Sequence, residues 1–219
     1  MTCIAWDGVS LVCDSKVSTR DNRKGTIMDA IKTMVLDKPV AVGNGDQILA
    51  ISGAGSMTVI ESYVDKFKLA GELGIDAEEL LKRIKDFSIL KGGDNTSIIA
   101  TGVNAKGDAA VCYSVGQSMV KITKPRVWGS GGAVHESLLN AFSAVDAMTA
   151  NYGLSMLDID RCGMPLHVFN PMTRSLVTYH TIPEEVAIAA RAVLDVHFRK
   201  ILNRVYMPPV TPKRRARAK

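Results

Sequence analysis

The sequence predicts an α+β fold in a single domain. Three observations carry this expectation. Apolar, β-compatible runs come in pairs separated by turn residues. Helical periodicities fall in separate blocks between those pairs. The 219 residues are 47 % hydrophobic and 22 % charged, enough apolar side chain for a sizeable core, with no interior linker or repeat. Strict alternation of one strand with one helix would point to a parallel sheet. This order points to antiparallel strands layered with helices. Aromatic residues are only 5 %, so the core must be mostly aliphatic, with 10 Met as adaptable fillers.

In chain order, Cys3-Ile4-Ala5-Trp6 and Ser10-Leu11-Val12-Cys13 read as two short strands around an Asp7-Gly8 turn. Residues 19–26 form a polar, charged loop. Lys32 to Leu36 opens another strand, and Asn44-Gly45-Asp46 turns the chain into Gln47 to Ile51. Gly53-Ala54-Gly55-Ser56 then opens a helix in which Val59, Ile60, Tyr63, Val64, Phe67 and Leu69 recur mostly at helical spacing. A second helix carries Ala77, Leu80, Leu81, Ile84 and Phe87 on one face, and Gly92-Gly93-Asp94-Asn95 breaks it. Ser97 to Val103 and Ala109 to Val115 form a hairpin, and Val120 to Val127 offers one further β segment. Gly129-Ser130-Gly131-Gly132 leads into a helix with Leu138, Leu139, Phe142, Val145 and Met148. Leu166 to Phe169 and Ser175 to Tyr179 flank an Asn170-Pro171 turn as a last hairpin. Pro183 starts a long helix through about Tyr206, with Glu184 and Glu185 where they suit the helix dipole.

The formal charge of +5 belongs to a tail. Lys213, Arg214, Arg215, Arg217 and Lys219 carry five of the 27 basic groups, and the remaining 22 match the 22 acids. Pro208, Pro209 and Pro212 precede them and disfavour helix continuation. The expectation is one folded domain over residues 1–207 and a disordered basic tail over 208–219. A formally neutral body argues against a nucleic-acid surface, which leaves only the tail for such contacts. No stretch of about 18 apolar residues suggests a membrane helix, and the N-terminus lacks the pattern of a secretion signal. Cys3, Cys13, Cys112 and Cys162 are widely spaced without CxxC, so reduced thiols and a cytoplasmic location are expected. The four His form no HExxH and there is no P-loop, so neither a metal nor an organic cofactor is implied.

The chemistry starts at Met1-Thr2. Removing Met1 ahead of a small residue would leave a hydroxyl and a free α-amine on Thr2. A threonine hydroxyl is a poor nucleophile without an adjacent base. An α-amine, with a pKa near 8, can be that base directly or through one water. Three features add to this. Asp14 ends an apolar strand, Lys32 leads into the next strand, and Ser130 sits in a glycine turn ahead of a helix. A buried Asp–Lys pair near the amine would favour its basic form through the lysine charge. Each also has a plainer reading: Asp14 as a turn residue, Lys32 as a solvated charge, Ser130 as a helix cap. His135 reads as a surface or capping histidine. Cys3 would point to the opposite face of an alternating strand from Thr2.

The sequence resembles the proteasome-like branch of the N-terminal nucleophile hydrolases, which includes the proteasome β subunit and the bacterial HslV-type protease. The resemblance rests on Met1-Thr2-Cys3-Ile4-Ala5, Leu11 to Lys16 with its Asp14-Ser15-Lys16, and a Lys ahead of a β segment. Ile51-Ser52-Gly53-Ala54-Gly55 and Trp128-Gly129-Ser130-Gly131-Gly132, each before a helix, complete it over roughly residues 2–180. It implies a four-layer αββα sandwich and a threonine peptidase that cleaves amide bonds. Thr2 would be nucleophile and base, Lys32 would tune the amine, Asp14 would pair with Lys32, and Ser130 would support the amine. The Gly55 N–H would help form an oxyanion hole, and Asp160 would serve as the second acid. The implied partners are peptide or protein substrates, further copies in a homo-oligomeric ring, and an ATP-dependent unfoldase. The chain departs from the family pattern in two places. Met57 and Thr58 stand where an acid usually follows the oxyanion glycine. In Asp158-Ile159-Asp160-Arg161-Cys162-Gly163, Cys162 replaces a hydroxyl and Asp158 competes with Asp160. The alternative is a catalytically silent ring subunit that keeps the fold for assembly.

Overall fold

The structure, a computed structural model, describes residues 3–18, 27–85, 96–116, 118–129, 145–157 and 163–206. Ten strands build two five-stranded sheets in which every pairing is antiparallel. The first sheet runs β10-β1-β2-β11-β12, from β1 (Cys3–Trp6), β2 (Leu11–Asp14), β10 (Arg126–Gly129), β11 (Leu166–Asn170) and β12 (Ser175–Tyr179). The second runs β5-β6-β7-β8-β9, from β5 (Thr33–Ala41), β6 (Gln47–Ala54), β7 (Ser97–Val103), β8 (Ala110–Val115) and β9 (Met119–Lys121). A short ribbon pairs β3 (Lys16–Ser18) with β4 (Ile27–Asp29). The four described helices are α1 (Met57–Leu73), α2 (Ala77–Lys85), α3 (Ala147–Leu157) and α4 (Glu184–Tyr206).

The alternation of side chains along each strand sorts the core. From β6, Ile48 and Ile51 pack with Ile60, Tyr63, Val64 and Phe67 of α1 and with Leu80 and Leu81 of α2. From β1 and β2, Cys3, Ala5 and Val12 pack with Ala147 and Ala150 of α3 and Leu194 of α4. The opposite strand faces meet each other. Ile4, Trp6, Leu11, Cys13 and Trp128 of the first sheet join Ala54, Ile99 and Cys112 of the second. Leu49 and Ala50 join Phe169 in the same way. A register shift between Ile48 and Ala50 makes room for Leu49 as an extra residue in β6, so two consecutive side chains face the first sheet. Each sheet therefore buries one face on helices and the other on the opposite sheet.

Among the described residues most predicted elements recur with shifted bounds. Val145 and Met148 do not share a helix, however: Val145 lies in a bend, and α3 starts at Ala147, where the Asp146 carboxylate accepts from the Thr149 N–H. Val120 to Val127 is not one segment: β9 and β10 belong to different sheets, and Lys124-Pro125 lies between them. Proline supplies no N–H to a ladder, which suits it to this crossing point. Gly53 and Ala54 close β6 rather than opening the helix, which starts at Met57. A Cβ at Gly53 would collide with the side chain of Ile60, so glycine lets α1 lie close on β6. Leu69 is exposed and Ala70 takes the buried position on α1, because 67 and 70 share a helical face whereas 69 lies off it. The helix ends at Gly74, whose left-handed φ of 65° supplies the usual C-terminal turn. The β3–β4 ribbon was not anticipated. Residues 19–26, Phe87, residues 92–95, and Leu138, Leu139 and Phe142 of the expected helix lie outside the described residues. So does the tail 208–219. Among the described residues no helix is long and apolar enough to cross a membrane.

The second sheet is tied at the β5–β6 turn by a buried carboxylate. Asp46 Oδ2 accepts hydrogen bonds from Tyr113 Oη, from Lys121 Nζ at 2.7 Å and from Asn44 Nδ2 at 3.2 Å. Its Oδ1 accepts from the Ala105 N–H at 3.1 Å, so one side chain links the β5–β6 turn, the β7–β8 turn, β8 and β9. Burial works against the charged carboxylate, but the bonds from Lys121, Tyr113 and Asn44 outweigh it and hold Asp46 below its ordinary pKa. Burial and the same carboxylate push the Tyr113 phenol up to about 12. A carboxylate with a depressed folded pKa stabilises the fold fully above its unfolded pKa, and this contribution disappears as pH falls through the folded value. Asp46→Asn is expected to cost about 1–3 kcal/mol at pH 7. Its deficit against the wild type should shrink as pH falls below about 4, read by urea unfolding across that range.

Candidate functional site

Two charges are buried together beside the start of β1. Asp14 closes β2 in the middle of the first sheet, between β1 and β11, and is fully buried. Lys32 immediately precedes β5 and is 1 % exposed. Asp14 Oδ1 accepts from Lys32 Nζ at 2.8 Å and from the backbone N–H of Cys3 at 2.7 Å. Asp14 Oδ2 accepts from the Lys16 N–H at 3.1 Å. These charge-assisted bonds offset the cost of taking both ions out of water. The sequence reading of Lys32 as a solvated charge is thereby corrected, as is that of Asp14 as a mere turn residue.

Local chain geometry explains how Lys32 reaches this place. The β3–β4 ribbon folds the chain back, pairing Lys16 with Asp29, and the Ala30 N–H donates to the Ser15 carbonyl at 2.9 Å. The chain thus returns beside Asp14 two residues before Lys32. On the far side the Ser15 N–H donates to the Gly163 carbonyl at 3.4 Å, which ties the segment ahead of β11 to the same spot.

Cys3 is held at both ends of its backbone. Its N–H goes to Asp14, and its carbonyl accepts from Asn151 Nδ2 of α3 at 2.8 Å. The same amide nitrogen donates to the Val12 carbonyl at 2.9 Å, so one helix side chain clamps β1 and β2. The Cys3 side chain packs with Ala5 and Val12 toward α3, away from the face that carries Ile4. The amide nitrogen of Cys3 is bonded to the Thr2 carbonyl carbon. The Lys32 ammonium therefore lies within two hydrogen-bond lengths of the peptide that joins residues 2 and 3.

Next to the ion pair runs a short polar chain between the sheets. Thr33 Oγ1 accepts from Ser52 Oγ at 2.9 Å and lies 3.2 Å from Cys13 Sγ. Burial pushes the Cys13 thiol up to about 11 against the weaker opposing effects of Thr33 and Lys32, which keeps it a neutral thiol at physiological pH. Burial likewise raises the Cys112 thiol. Cys13 and Cys112 are free thiols.

Ser52 is three residues ahead of Gly55, the residue expected to donate to an oxyanion. Gly55 is exposed at the junction of β6 and α1 with φ 126°, a conformation that favours glycine and would strain any side chain. Asp14 and Lys32 are thus brought together beside Cys3, and Gly55 follows Ala54, which packs with Ile4 of β1. Thr2, Ser130 and Asp160 lie outside the described residues, as do His135, Asp158 and Cys162. Sequence reasoning missed Thr33, Ser52 and Asn151. Thr33 and Ser52 carry a weak signal, being hydroxyls at inward positions of apolar strands. Asn151 carries none, because its partners are carbonyls about 140 residues away. Among the described residues no group of three or more His, Cys, Asp or Glu is arranged to hold a metal ion.

Comparison of the chain with models of known protein families, and with curated proteins, finds no match. The ion pair can be tested on its own. Asp14→Asn and Lys32→Met should each cost about 3–5 kcal/mol, because each leaves a buried charge without its partner. The double variant should lose clearly less than the two single losses combined. Urea unfolding of the four proteins measures both.

Proposed function

We propose that this chain is a threonine-type N-terminal nucleophile hydrolase of the proteasome-like branch, acting on peptide bonds. The observation that carries the reading is the bridging Asp14 carboxylate. It holds the Lys32 ammonium and the N–H of the peptide between residues 2 and 3 on one oxygen. The reading requires a free α-amine on Thr2, with whatever precedes it removed. A cation this close favours the neutral, basic form of that amine. The amine takes the hydroxyl proton as Thr2 attacks the substrate carbonyl, and returns it to the leaving amine as the acyl ester forms. Water, deprotonated by the same amine, then attacks the ester, and the amine passes that proton to the departing Thr2 Oγ, which releases the acid and regenerates the hydroxyl. The Gly55 N–H is proposed as an oxyanion donor, a role that supplies about 3–4 kcal/mol of transition-state stabilisation where one donor has been removed by mutation.

Two sheets packed face to face with helices outside each support the αββα sandwich that this family implies. Ser130 and Asp160 remain proposed supports of the amine, on sequence resemblance alone. Assembly into a homo-oligomeric ring in the cytoplasm, with an ATP-dependent unfoldase feeding protein substrates, belongs to the same proposal.

The test is the intact mass of the purified protein before and after treatment with a peptide epoxyketone, which needs both the hydroxyl and the free amine of an N-terminal threonine. The expected result is loss of Met1 and a single adduct, absent in Thr2→Ala. A protein that keeps Met1 and takes no adduct is not a hydrolase of this type, and the silent assembly subunit then becomes the better reading.

A further inference from the structure

Helix α4 carries an outward face that nothing in the described structure covers. Its inner side is anchored by the buried Ala190 and Leu194. On the outer side Ile188 is 59 % exposed and Val196 is 53 % exposed, with the exposed Ala192 midway between them. Residues at i, i+4 and i+8 form one ridge along a helix, here large, small, large. A small residue at the centre lets a second helix approach closely at that point.

The charges along this face have a matching arrangement. Glu185 lies seven residues before Ala192 and Arg199 seven residues after it, and both are exposed. Arg191 and Asp195 flank the ridge near its middle and are also exposed. None of these four groups forms an ion pair among the described residues, although Arg191 and Asp195 stand at i and i+4. Rotation by a two-fold axis through Ala192 exchanges the two halves of the face. It brings Ile188 onto Val196 of a second copy and Glu185 toward Arg199. The two helix dipoles then run antiparallel.

We propose that α4 is a two-fold docking surface for a second copy of this chain, with the helices crossing antiparallel at Ala192. An isologous contact needs a surface complementary to itself, and this ridge is symmetric in size about Ala192, with Glu185 and Arg199 of opposite charge at equal distances from it. The inference stands whether or not Thr2 is a nucleophile, because it concerns α4 alone.

The experiment is sedimentation equilibrium of the full chain, at concentrations up to about 200 μM to reach a contact of modest area. Wild type is compared with Ile188→Asp, Glu185→Arg, Arg199→Glu and the Glu185→Arg/Arg199→Glu double variant. All three positions are at the surface, and an unchanged Tm verifies folding. The expected result is self-association in wild type, weakened about tenfold or more by Ile188→Asp. Each single charge reversal should weaken it about threefold to tenfold, and the double reversal should restore it. A monomeric wild type, or an association that Ile188→Asp and both charge reversals leave unchanged, overturns the proposal.

Discussion

The arrangement around β1 depends on one buried carboxylate. Asp14 is fully enclosed and accepts from the Lys32 ammonium, from the Cys3 N–H and from the Lys16 N–H. Burying an ion is costly unless its oxygens are satisfied, so these three donors are fixed in place by the same requirement that fixes Asp14. The consequence is positional. The start of β1, the return of the chain from the β3–β4 ribbon and the beginning of β5 must meet at one point. Hydrophobic packing alone is non-directional and would not specify that meeting.

The rest of the fold supports this point from both sides. α3 clamps β1 and β2 through Asn151, and Thr33 and Ser52 link β5 and β6 to Cys13 beside the pair. The Asp46 node ties the turns and edge strand of the second sheet through a separate set of donors. The two carboxylates play unlike parts. Asp46 joins elements whose other groups are turn amides, the Tyr113 phenol and a partly exposed lysine. Asp14 holds a fully buried cation against the backbone of Cys3, which is the more costly arrangement.

Much of the layering was legible in the sequence because period-2 and period-3.6 patterns report which face is buried. The hairpin at β7 and β8, the hairpin at β11 and β12, and α4 lie close to where the pattern predicts them. Asp14 and Lys32 could be picked out because a charge at the end or beginning of an apolar strand is conspicuous. Their contact could not be read from spacing, since 18 residues separate them and a ribbon decides whether they meet. The splitting of Val120 to Val127 was illegible for a similar reason: local propensity does not say which sheet a strand joins. Asn151 was invisible because its role is set by carbonyls brought to it only by tertiary packing.

The central claim is that Lys32 acts electrostatically on the amine of Thr2, and the amine itself can report this. In protein whose Thr2 is a free N-terminus, the α-amine would be titrated by NMR with 15N-labelled threonine. The account predicts a pKa below the ordinary value of about 8, rising toward it in Lys32→Met that remains folded. A value at or above the ordinary one in wild type would contradict the claim.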